Sequence, residues 1–181
     1  DLMRVIDRRL GLPISLAILC ITIGRDLGWD VTGISFPGHY IMRVAEGPER
    51  AMVDPFQGCL VLAASDLRDI LKKTMGPQAE LSASYYEPAS NRDTLVRLQN
   101  NIKLRQIEAE DYQGALLTVE TMRRIAPAEY RLDLDAGVLL ARLERPMAAI
   151  ESLERYLDHV PNLAEKQEAA LMLQQLRARL N

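Results

Sequence analysis

Ser35-Phe36-Pro37-Gly38-His39-Tyr40-Ile41-Met42-Arg43-Val44 is the stretch whose reading decides the fold. Pro37-Gly38 sets a turn that presents His39 at the mouth of an alternating run. Tyr40, Met42 and Val44 point one way and Ile41 and Arg43 the other, the two-residue period of a strand. Fifteen residues after His39, Asp54 closes another short apolar run, Met52-Val53-Asp54-Pro55-Phe56. The following proline keeps Asp54 extended and bars a helix there. A histidine and an aspartate on neighbouring strands would form a His–carboxylate pair, which is two members of a nucleophilic triad.

Working outward, Leu2, Val5 and Ile6 make one face of a short amphipathic helix that stops at Gly11. Pro13 suits the first turn of the next helix, where its missing N–H has no partner in any case. Ile14 to Leu27 is apolar almost all round, which predicts a helix buried on most sides and ended by Gly28. Trp29 to Phe36 alternates as a first strand, and Glu46-Gly47-Pro48-Glu49 makes a hairpin turn into a third strand, Ala51 to Asp54. Residues 65–75 read as a helix with Ser65 as N-cap and Leu67, Ile70 and Leu71 as its stripe. Gly76-Pro77 breaks it, and Ala79 to Asn91 reads as a linker.

Beyond Asn91 the pattern is all helix and repeats itself. Ala115 and Ala149 are 34 residues apart, as are Pro127 and Pro161, and this is the tetratricopeptide period. Ala136, Gly137 and Leu140 stand where that repeat wants small and apolar residues. Ile102 and Lys103 occupy the matching positions of the first unit, so its start is degenerate. Leu171, Leu173 and Leu176 continue as a capping helix. The expected division is residues 1–90 and residues 91–181.

The 22 basic and 25 acidic residues are well mixed, with a net charge of −3. No basic block interleaved with aromatics points to nucleic acid, and no apolar run is long enough to span a bilayer. Two cysteines make no disulfide scaffold and suggest a reducing compartment, so the cytoplasm is expected. The chain opens inside a helix without an initiator methionine, as a fragment lacking N-terminal residues would. With two distant histidines and no Cys-x-x-Cys, no metal is expected, and the absence of Gly-rich phosphate loops leaves no cofactor to propose. His159 reads as a favourable charge at a helix end.

The ordered set Gly11-Leu12-Pro13-Ile14-Ser15-Leu16, Leu27-Gly28, Pro37-Gly38-His39-Tyr40 and Asp54-Pro55-Phe56 resembles the SirB-type bacterial proteins, across nearly the whole chain. The resemblance implies an α+β fold: a transglutaminase-like, papain-like core with a small antiparallel sheet, followed by all-α tetratricopeptide-like repeats. In active members of the wider superfamily a cysteine at the N-terminus of the buried helix is followed by histidine and aspartate on adjacent strands. His39 and Asp54 match the second and third positions. The first offers Pro13 or Ser15, and a serine there would need strong base assistance and an oxyanion hole. Ser15 otherwise serves as a first-turn serine bonded to backbone. Cys20 reads as buried core, and Cys59 as a loop thiol out of triad order.

Two functions lead this reading, beside a third in which His39 and Asp54 line a small-ligand pocket without chemistry. In the first, the site is degenerate and the chain works as a regulatory or scaffolding protein that binds a protein or peptide partner. Stacked helix pairs leave a concave groove, which Tyr112, Arg123, Arg124, Tyr130, Arg131 and Arg142 would line or rim. In the second, the chain is an acyl-transfer or amide-hydrolysing enzyme. Its nucleophile would be Ser15 or a nearby cysteine, with His39 as base and Asp54 as the residue that fixes the imidazole tautomer.

Overall fold

In the computed structural model, which describes residues 2–180, α1 (Leu2–Arg8) and α2 (Pro13–Asp26) lead into four strands: β1 (Asp30–Ile34), β2 (Ile41–Glu46), β3 (Glu49–Asp54) and β4 (Leu60–Leu62). These form one antiparallel meander in chain order. Then come α3 (Ala64–Met75), a 3-10 turn (Ala83–Tyr86), and five helices: α4 (Asn91–Glu108), α5 (Tyr112–Ile125), α6 (Arg131–Arg142), α7 (Pro146–His159) and α8 (Leu163–Ala178). The chain forms two compact units, Asp1–Thr94 and Leu95–Asn181. Thr94 goes with the first because its hydroxyl bonds the buried Tyr40 phenol at 2.7 Å.

In the first unit the sheet is covered on both faces where the candidate site sits. Val31 and Gly33 face one way and Ile34 the other, as the strand period requires. Ile34 lies opposite Ile41 in the register and shares a core with Phe36, Leu62, Leu67 and Leu71. On the other face Gly24 of α2 lies so close to Val31 that a Cβ at residue 24 would collide with it. The buried stripe of α2 is Ile14, Ala17, Ile21 and Gly24. Burial is therefore one-sided, and Ile23 on the far side is exposed, against the expectation from the sequence.

Three further expectations are corrected. Ser65 is not the cap of α3: Ala63 is, and the Asp66 carboxylate reaches back to accept its N–H at 2.7 Å, half of a capping box. The third strand is followed by a fourth, β4, too short to show a period. The stretch read as a linker is packed structure. Tyr85 and Tyr86 each set their rings 6.1 Å from that of Phe36, and Ala89 donates its N–H to the Gly33 carbonyl at 2.8 Å. Hydrophobic periodicity misses a segment held by individual aromatic side chains.

The second unit carries its repeat in its geometry. α5 and α7 are both 14 residues long. Gly137 of α6 sits against the Leu153 side chain and the Ala149 carbonyl of α7, where a Cβ would not fit. The equivalent residue of the first repeat, Lys103, is buried, and its ammonium reaches Asp135 of α6 at 2.5 Å. Asp133 of α6 accepts from Arg123 of α5 at 2.8 Å and from Arg155 of α7 at 3.1 Å through the same oxygen.

Lys103→Ala is expected to lower stability by about 2 kcal/mol in denaturant unfolding, through lost stem packing and a half-buried Asp135 left unpaired. Lys103→Met should restore the packing part of that loss.

Candidate functional site

The Pro-Gly turn holds His39 in place. The His39 N–H closes it onto the Phe36 carbonyl at 3.0 Å, with Gly38 at φ +70, the value a type II turn asks of its second corner. A Cβ on Gly38 would also strike Thr74 of α3, so shape and backbone both demand glycine. Asp54 ends β3 and is fully buried.

A buried carboxylate must be satisfied by hydrogen bonds. Asp54 Oδ1 accepts the Phe56 N–H at 2.8 Å, while Oδ2 accepts from the Gln57 side-chain amide at 3.1 Å and meets His39 Nε2 at 2.9 Å. With the carboxylate as acceptor, Nε2 carries the proton. Nδ1 is then the nitrogen left for a nucleophile or ligand, and the ring is partly open to solvent.

Ser15 is buried in the first turn of α2, where its N–H bonds the Leu12 carbonyl at 2.9 Å. Among the described residues no hydrogen bond joins its hydroxyl to His39. Among the described residues neither thiol is hydrogen-bonded to the ring, and the two face each other. Cys20 Sγ and Cys59 Sγ are 3.7 Å apart. Burial, and then the hydrogen bond and charge of Cys59, push the Cys20 thiol up to about 11. Cys20 is half-buried at the edge of α2's packed face rather than in the core, and Cys59 is exposed. The geometry thus brings together the imidazole and carboxylate in one contact and the two sulfurs in another.

The six residues expected along a groove fall into different settings. The Arg142 guanidinium lies 5.9 Å from the centre of the Tyr112 ring, Tyr130 stacks on Tyr156 at 5.8 Å, and Arg131 reaches Glu165 at 3.5 Å. Arg123 is held by Asp133, and Arg124 is exposed with no ion pair among the described residues. A groove of about 460 Å³ opens between α6 and α8, lined by Val138, Ala141, Arg142, Met172, Leu176 and Arg179, with Gln175 beside them. Only Arg142 of the six belongs to it. The rest of its lining follows from α6 and α8 both packing on α7, for which the sequence carries no direct signal.

A helix packed by one face beside a meander that carries histidine and aspartate at adjacent strand ends, followed by paired helices of a fixed period, defines a papain-like core with a helical-repeat module. The chain belongs to the transglutaminase-like superfamily, whose family model matches residues 1–100, and a tetratricopeptide-repeat model matches residues 102–180. It is 31% identical over 162 residues to a UPF0162 protein of Xylella fastidiosa, covering 88% of this chain and 58% of that one. A UPF0162 protein of Pseudomonas aeruginosa is 31% identical over 153 residues, 84% of this chain and 56% of the relative. Protein SirB1 of Salmonella typhimurium is 26% identical over 160 residues, 87% and 59% of the two chains. The chain thus spans under three-fifths of the length of these relatives. No solved structure matches it. No described helix is long and apolar enough to cross a membrane.

Asp54→Ala leaves the Phe56 N–H, the Gln57 amide and His39 Nε2 without their acceptor. It should cost about 3 kcal/mol in urea unfolding, with Asp54→Asn costing about half as much because one acceptor oxygen survives.

Proposed function

We propose that this chain acts by protein–protein contact, with its repeat unit as the binding surface and its transglutaminase-like unit as a non-catalytic partner to it. The observation that carries this reading is the distribution of hydrogen bonds around His39. Its ring is paired with a carboxylate, yet among the described residues neither a hydroxyl nor a thiol is bonded to it. Acyl transfer needs a nucleophile within hydrogen-bond reach of its base. Without one, the His39–Asp54 pair holds the Pro-Gly turn to the end of β3, a structural role.

The groove between α6 and α8 has the chemistry of a peptide site. Val138, Ala141, Met172 and Leu176 supply an apolar floor, and Arg142 and Arg179 supply two guanidiniums. An acidic segment with apolar side chains at alternate or helical spacing is the complementary ligand. Arg124 and Arg131, exposed in the same unit, would extend the positive surface, and the cytoplasm is the compartment this reading assumes.

The test combines binding and labelling. Arg142→Glu with Arg179→Glu should weaken binding of a fluorescent acidic–apolar peptide about tenfold or more by anisotropy. A fluorophosphonate and an iodoacetamide probe should show no labelling that His39→Ala abolishes. Labelling at Ser15 that disappears in His39→Ala would instead establish the hydrolytic reading.

A further inference from the structure

Cys20 and Cys59 are far apart in the chain but adjacent in space. One lies on α2 and the other in the turn between β3 and β4, and their sulfurs approach to 3.7 Å across 39 residues. That turn is tight: Leu60 donates its N–H to the Gln57 carbonyl at 3.2 Å, and the two corner residues, Gly58 and Cys59, have φ of +62 and +61. Positive φ at both corners is the I′ arrangement, in which glycine is favoured at the second corner. Cysteine takes that corner here, in a conformation that costs an L-residue free energy, with its sulfur against Cys20. A disulfide needs the sulfurs about 2 Å apart, a movement that an exposed turn can supply.

From this contact we propose that Cys20 and Cys59 form a reversible intramolecular disulfide by exchange with a low-molecular-weight disulfide such as oxidised glutathione. Cys59, exposed, reacts first. Its thiolate attacks one glutathione sulfur, the glutathione S–S bond breaks, and the leaving glutathione thiolate takes up a proton. Cys20, deprotonated in its turn, attacks the Cys59 sulfur. The mixed disulfide then breaks and the second glutathione leaves and is protonated. The two protein thiols lose two electrons, one glutathione disulfide gains them, and the two thiol protons end on glutathione. Burial, the largest cause of the raised Cys20 pKa, remains once Cys59 carries glutathione and slows the second step. The bond pins to α2 the same turn that carries Gln57, whose amide bonds Asp54. Oxidation would therefore stiffen one wall of the His39 site. None of this depends on the binding role proposed for the repeats.

The full chain is incubated with oxidised glutathione and read by intact mass, thiol titration and peptide mapping. The expected product has lost two hydrogens, has no titratable thiol and gives a Cys20–Cys59 cross-linked peptide. It migrates as a monomer on a non-reducing gel, and dithiothreitol restores both thiols. Cys20→Ser should stop at a stable glutathione adduct on Cys59. Oxidation should raise the unfolding midpoint of the wild type by about 5 °C and slow hydrogen exchange at the Phe56 amide, with neither change in Cys20→Ser. The proposal is overturned if the wild type keeps both thiols, if it accumulates a lasting adduct on Cys59, or if the disulfide joins two chains.

Discussion

One buried carboxylate imposes order on the first unit. Asp54 has no access to water, and a charge in that setting survives only when surrounded by donors. The donors come from three directions: a backbone N–H two residues on, a side-chain amide three residues on, and an imidazole presented from the start of the neighbouring strand. Each imposes a local shape. Pro55 holds the chain extended as it leaves β3, the backbone then curls so that Phe56 points its N–H back, and the Pro-Gly turn sets His39 at the right height. The features that make this look like a catalytic centre are the same ones that satisfy a buried charge.

The repeat unit solves its packing in a second way, through size. Gly137 lets α6 and α7 approach until Leu153 fills the space a side chain would have taken. Where the first repeat carries Lys103 at that position, close approach is replaced by a buried stem and an ammonium directed at Asp135. Two repeats of one architecture thus use shape in one case and charge in the other at the same structural position.

What the sequence disclosed depended on how far apart the interacting residues lie. The repeat period was legible because alanine and proline recur at fixed spacing, and α5 and α7 follow it in length and position. The order of buried helix, histidine strand and aspartate strand was legible from turn residues alone. Short elements held by single contacts were not: β4, and the Tyr85–Tyr86 segment that covers Phe36, have no period to detect. The residues lining the α6–α8 groove depend on how both helices pack on α7, which a linear reading does not express. The proximity of Cys20 and Cys59 was equally hidden, although a glycine–cysteine pair just after the aspartate turn was a clue that the second thiol sits at a sharp corner.

Asp133 joins α5, α6 and α7 through a single carboxylate oxygen that two arginines share. Those three helices begin in one repeat and end in the next. The period written in the chain and the set of helices tied by this carboxylate are therefore out of phase by one helix, so removal of that single charge would be felt on both sides of the boundary between the repeats.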